Sequence, residues 1–458
     1  MANKAVVRFE CANCGAVAAT WSGRCHVCGE WNTLREQLAI EQGAGQAAGK
    51  PLVAERVDKL VKADRLERLA TAMNEVDTVL GGGFVAGSVN LIAGQPGIGK
   101  STLLLQLADA IAKHSPVLYI SGEESAHQIG LRAQRLGVGN ARLELATSNS
   151  ADDIAATITT GRYKLVIVDS IQAVSASMIS AAAGTISQIT SSTRLLTSAA
   201  KQTHTALVLV GHVTKEGYIA GPKVLEHVVD VVLQLEGDCY GGFKLLRGVK
   251  NRYGPTNETG IFEMADKGME PVTNPSAALL AERQVTDGSV VLATMEGTRP
   301  LLVEVQALVN KTSYGYPKRA ASGIDLNRVN LLVAMLERRT KLNLADQDIY
   351  INIVGGIRIT EPAADLAICM AIASASKGLQ LKKNAVVFGE VGLSGEIRHV
   401  PFIDKRLSEA KKLGFDGAIG PVINPPAGGG KKPAGLFSVA DVRSALNQFL
   451  EKEQTPTS

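Results

Sequence analysis

Short apolar runs alternate with longer amphipathic stretches through the middle of the chain. Residues 89–93, 117–120, 165–168, 206–210 and 229–235 are hydrophobic segments of strand length, and stretches such as 103–112 between them read as helix. Strands that are apolar throughout point to a sheet covered on both faces. Residues 56–275 are therefore expected to form an α/β domain around a mostly parallel sheet. The signals restart beyond residue 276, with helical periodicity over 329–336, strand-like alternation over 349–353 and a further helix over 365–375. They predict a second α/β domain across 276–450. Residues 36–55, rich in Gly, Ala and Gln, read as a flexible linker, and 451–458 as a disordered tail.

At 458 residues the chain exceeds one core. Apolar content of 45% with aromatics at only 4% predicts aliphatic cores. A net charge of +4 permits nucleic-acid binding without arguing for it. No run of 18 apolar residues occurs and the amino terminus lacks a signal-type apolar core, so a soluble, cytoplasmic protein without membrane contact is expected. Four of the six cysteines fall in the first 28 residues, which in a reducing compartment points to metal before disulfides.

Those four are Cys11 and Cys14, then Cys25 and Cys28, two C-x-x-C pairs separated by ten residues. Each pair presents two sulfurs to one ion, the donor set of a tetrahedral Zn²⁺ site, and Gly15 and Gly29 follow where the chain must turn. Residues 1–35 hold almost no core, so the metal would supply their folding energy. His26 is a bystander to a shell that four sulfurs already close. The finger offers Arg24 and Trp21 to DNA or to a protein partner, and both options stay open.

Gly94-Gln95-Pro96-Gly97-Ile98-Gly99-Lys100-Ser101-Thr102 fits the G-x-x-x-x-G-K-[ST] pattern, entered from a strand and left by a helix. Glycine turns aim backbone N–H groups at one anion, and the helix adds its positive end. Lys100 is expected to reach the β- and γ-phosphates of ATP and Ser101 to ligate Mg²⁺. The strand at 165–168 ends on Asp169, where a carboxylate would hold Mg²⁺ through water. The strand at 117–120 runs to Glu123, a candidate to orient and deprotonate the attacking water or else a solvated loop acid. His212 also follows a strand end, as a phosphate sensor or a structural residue.

Residues Glu75-Val76-Asp77-Thr78-Val79-Leu80-Gly81-Gly82-Gly83, leading into Gly87-Ser88 and the glycine-rich loop, resemble the RecA/KaiC entry to a RecA-type ATPase core. Lys250-Asn251-Arg252-Tyr253-Gly254, with the four-cysteine finger ahead of it, is similar to the signature of the RadA family of bacterial DNA repair ATPases. That family has Phe where this chain has Tyr253. The resemblance runs from Cys11 to about residue 450. It implies a RecA-like core, a hexameric ring, and single-stranded DNA and branched recombination intermediates as substrates, with a RecA-type recombinase as partner. Lys250 and Arg252 alternate on an extended segment and share a face. In such a ring they would complete a neighbour's ATP site, as the similar Lys-x-Arg-x-Gly stretch of DnaB-type helicases suggests, or bind DNA phosphates directly. Channel loops of such rings would fall at about 174–185 and 213–223, where Lys215, Tyr218 and Lys223 are candidate DNA contacts.

Residues 348–352, 361–365 and 389–397 are similar to the Lon protease proteolytic domain. Lon uses a serine nucleophile and a lysine base. Here Ala363 stands at the serine position, and the lysine position falls at about Asp404, with Lys405 adjacent. Peptidase activity is therefore expected to be absent. The domain is read as an assembly ring and DNA platform, with Lys311, Lys318, Arg319, Arg328 and Arg338 as candidate phosphate contacts or a solvated face. An ATP-dependent protease and a nucleotide-switched adaptor are the rival functions. Cys239 and Cys369 are read as small buried residues.

Overall fold

The computed structural model describes residues 6–11, 16–18, 20–39, 68–212, 224–237, 242–313, 315–423 and 433–452. Its internal contacts divide the chain into two compact units, Met1–Arg65 and Leu66–Ser458.

The first unit is a small antiparallel sheet. Val6–Cys11 is central, pairing with Val17–Ala18 on one side and Leu34–Ala39 on the other. Among the described residues its core is slight: Cys11, Cys25 and Leu34 are buried, with Phe9, Ala16, Ala18 and Cys28 against them.

In the second unit, the described residues of the ATPase half form a nine-stranded sheet. Its parallel centre runs Val231–Gly237, Val89–Gly94, Ala206–His212, Leu165–Asp169, Val117–Ser121 and Leu143–Thr147. Lys244–Asn251, Thr259–Ala265 and Gly268–Pro271 extend it as an antiparallel edge. Alternate residues of each strand feed two aliphatic layers. Ile92, Tyr119, Ile167 and Val208 pack beneath the helix Lys100–Ala112, whereas Leu91, Ile120, Val168 and Leu209 face the layer of Ile186–Thr203. Burial on both faces is what the continuous apolar runs predicted.

A second sheet, seven-stranded among the described residues, centres on the long hairpin of Ser289–Glu296 and Arg299–Lys311. The helix Asp365–Lys377 lies against that hairpin with residues 365–374 all buried. The tip of the hairpin meets the ATPase half. Arg299 Nη1 donates to both oxygens of Glu75 at 2.9 Å, the Thr298 hydroxyl donates to Glu258, and Arg247 pairs with the buried Glu296 at 2.8 Å. Burial pushes the Glu296 carboxyl above its usual range despite Arg247. No helix among the described residues is long and apolar enough to cross a membrane.

Candidate nucleotide-binding site

The strand Val89–Gly94 is buried along its whole length and ends on a glycine for a packing reason, since a Cβ at Gly94 would sit 2.6 Å from the Leu235 carbonyl. Gly97 and Gly99 then turn with φ of 78° and 110°, and Gly99 starts the helix without a capping side chain. First-turn N–H groups therefore face the loop, where an anion would complete them. The helix is anchored by Leu103, Leu104, Leu107 and Ile111. Lys100 is buried at the base of the turn. Its Nζ donates to the carbonyls of Gly94 at 2.8 Å and Gln95 at 3.0 Å, and lies 3.3 Å from His212 Nδ1. Gly97, Gly99, Lys100, Ser101 and Thr102 form one wall of a cavity of about 320 Å³, with Glu124, Arg132, Arg135 and His212 opposite.

Parallel register brings the remaining groups to the same edge. Gly94 lies beside His212, and Ser121 beside Asp169. Asp169 accepts a 2.6 Å hydrogen bond from the Tyr119 hydroxyl. The Glu123 carboxylate accepts from the Ser170 hydroxyl and lies 3.8 Å from His212 Nε2, so His212 stands between Glu123 and Lys100. Glu124 is held by a two-pronged pair with Arg132 at 2.8 and 2.6 Å, which pushes the Arg132 guanidinium pKa up. Lys100, Ser101, Glu123 and Asp169 thus lie at one edge of the sheet. Tyr119 and Arg132 went unread, although strand alternation does put Tyr119 on the same side as Ser121. Ser101 and Asp169 supply the hard oxygens that Mg²⁺ takes.

Lys250 and Arg252 sit elsewhere. Asn251 is in register with Val231 and hence with Asn90, whereas the glycine turn begins four residues further on at Gly94. Four strand residues span about 13 Å. The pair therefore lies toward the opposite edge of its own sheet. Lys250 Nζ donates to the carbonyls of Glu226 at 2.5 Å and Val229 at 2.7 Å, and burial, then Arg252, lowers its pKa. Arg252 Nη1 donates to the buried Asp230 at 3.0 Å.

In the amino-terminal unit, the sulfurs of Cys11, Cys25 and Cys28 lie within 4.8 Å of one another, the arrangement of a thiolate metal site. Gly29 turns with φ of 76° behind the second pair, and the backbone N–H groups of Cys28 and then Val27 lower the Cys25 thiol pKa. Cys14 lies outside the described residues, as do Lys215, Tyr218 and Lys223. His26 is exposed, in keeping with a bystander.

At the Lon-like turn, Ala363 is buried in a short 3₁₀ segment, Pro362–Ala364, and offers no hydroxyl. Asp404 and Lys405 are exposed, and Lys405 Nζ donates to the Thr298 carbonyl at 3.0 Å. The cation beside this turn is Arg406, one residue further on and 0% exposed, paired with Glu361. Of the carboxy-terminal cations, Arg328 is committed to Asp365, while Lys311, Lys318 and Arg338 are exposed.

Three family models match the chain. One described as an AAA domain covers residues 59–218, a rubredoxin metal binding domain covers 9–36, and the subunit ChlI of Mg-chelatase covers 325–424. DNA repair protein RadA of Pseudomonas aeruginosa is 45% identical over 457 residues, covering 98% of this chain and 99% of that one. The Bacillus subtilis protein of that name is 46% identical over 452 residues, covering 97% and 98%. Its Escherichia coli counterpart is 43% identical over 453 residues, covering 96% and 98%.

Proposed function

The chain belongs to the RadA family of DNA repair proteins, and on that footing we propose that it is a ring-forming motor driven by ATP along single-stranded DNA. At the coarser level it is a DNA repair ATPase with an amino-terminal zinc ribbon and a Lon-like carboxy-terminal domain. In the finer reading, a hexamer extends or migrates branched recombination intermediates alongside a RecA-type recombinase. Residues 56–275 are the motor and 276–450 the assembly platform.

Within this reading the glycine turn grips the polyphosphate of ATP. Lys100 neutralises β- and γ-oxygens, and Glu123 orients and deprotonates the attacking water. Mg²⁺, when bound, offsets developing charge on the phosphates, with Ser101 and Asp169 to hold it. Cys11, Cys14, Cys25 and Cys28 are the proposed Zn²⁺ ligands, and Lys215, Tyr218 and Lys223 the proposed DNA contacts.

One observation carries the ring. Lys250 and Arg252 lie about 13 Å along the sheet from the level of their own glycine turn, at the end of a strand two along from the one that carries it. Cations so placed serve a neighbouring protomer's γ-phosphate more readily than their own. The second reading, direct contact with DNA phosphates, is favoured by the 53% exposure of the Arg252 side chain.

Mixing separates the two. Lys100→Ala and Arg252→Ala proteins, each inactive alone, regain DNA-stimulated ATP hydrolysis when combined if Arg252 acts across an interface. Absence of recovery at every ratio, with mixed rings demonstrated, leaves Arg252 as a DNA contact. An adaptor needs no turnover, so unimpaired branch migration by Lys100→Ala protein would end the motor reading.

A further inference from the structure

We propose that Tyr119 is a positioning residue for a magnesium ligand, its hydroxyl holding Asp169 in the orientation that a nucleotide-bound Mg²⁺ requires. The proposal rests on the glycine-turn reading and adds to it the group that sets the direction of this carboxylate. Tyr119 is 1% exposed, on the strand Val117–Ser121 and within the layer beneath the Lys100–Ala112 helix. The ring fills a core position that any large apolar residue could serve. A phenol there needs partners for its hydroxyl, because a buried polar group without them is costly.

The partner found is a group that a metal would use. A tyrosine hydroxyl has one proton to give. It gives the proton to Asp169 Oδ2 at 2.6 Å. The carboxylate it anchors is thereby fixed in rotation.

Tyr119→Phe in the full-length protein removes the hydroxyl and keeps the ring. Binding of a fluorescent ATP analogue is titrated with Mg²⁺, and Mn²⁺ bound to the nucleotide complex is counted by electron paramagnetic resonance. Nucleotide affinity without metal is expected to match wild type. The Mg²⁺ concentration for half-maximal tightening is expected to rise about tenfold, with a parallel loss of Mn²⁺ affinity. Asp169→Ala removes the acceptor itself, so its effect on Mg²⁺ dependence should not add to that of Tyr119→Phe. An unchanged Mg²⁺ half-point, equal weakening with and without metal, or full additivity each overturns the positioning role. A wild-type protein that binds nucleotide with no response to Mg²⁺ overturns the glycine-turn reading as well. If wild type responds and Tyr119→Phe responds identically, only the role of Tyr119 falls.

Discussion

Two turns in this chain use the same materials to opposite ends. Residues 94–102 and residues 361–365 each lead into a helix, and each has a buried cation at its base, Lys100 in one and Arg406 in the other. Around Lys100 the glycines leave the helix start uncapped, and the amine forms part of the wall of a cavity of about 320 Å³. At the other turn Glu361, Pro362 and Asp365 line a cavity of equal volume with Arg328, but Arg406 is 0% exposed and takes no part in that lining. Its guanidinium donates to the Pro401 carbonyl at 3.2 Å, pairs with Glu361 and lies 5.4 Å from the Phe388 ring centre. Glu361 is further engaged by the Thr294 hydroxyl at 2.8 Å and the Met295 N–H at 2.9 Å. A cation on a cavity wall can meet an incoming anion. A cation sealed against a carboxylate is a strut, and its desolvation is tolerable only while the pair stays whole.

The comparison breaks most sharply at Lys100. Lys100→Ala should lower ATP hydrolysis about a thousand-fold, because a charge-stabilising group is lost in a shielded site. The melting temperature should stay near that of wild type, since the helix keeps Leu103, Leu104 and Leu107 in the core. Steady-state phosphate release and a thermal melt on the same preparation check both halves. Turnover within a few-fold of wild type would remove Lys100 from the chemistry.

Arg406→Ala should do the reverse, unfolding the platform with no direct effect on nucleotide chemistry. It strands Glu361 among Thr294, Met295 and the core, a loss of about 3–5 kcal/mol for breaking one side of a buried pair. Replacing both partners, as in Glu361→Leu with Arg406→Met, should recover much of that stability, because apolar groups of similar volume carry no charge to desolvate. Denaturant unfolding of the two variants is the measurement. A single variant as stable as wild type would show that the pair is not a strut.

How far the chain could be read in advance differs between the same two places. The glycine turn was legible because its chemistry is local: fixed spacings set the turn, and apolar runs ending on Asp169 or leading to Glu123 mark strand ends. Both layers of the ATPase sheet followed from continuous hydrophobic runs. Tyr119 was not legible, since its role depends on parallel register placing Ser121 beside Asp169, which no spacing within one strand reveals. Arg406 escaped for a similar reason. In sequence it is one more cation in the exposed-looking run Asp404-Lys405-Arg406, and only helix phase turns it inward while its neighbours face water. The loss of the nucleophile at Ala363, by contrast, was legible from a single letter.

That last point yields the smallest and most discriminating test. Ala363→Ser restores the missing hydroxyl at a site 1% exposed, where the Ala363 carbonyl already accepts from the Gly389 N–H at 2.8 Å. Were the absent hydroxyl the sole defect, the variant should cleave unfolded protein. It should not, because a serine needs a base, and the cation at this turn is an arginine, whose guanidinium offers donors and no acceptor and is already paired with Glu361. Lys405 faces solvent and is engaged by Thr298, so it cannot substitute. The expected outcome is no peptidase activity with or without ATP, and a stability loss of about 1–2 kcal/mol for a hydroxyl added to a packed site. Casein digestion and a denaturant melt read the two quantities. Measurable cleavage by Ala363→Ser would mean that Arg406 is not the sealed strut described above and that the two turns are closer in kind than their surroundings indicate.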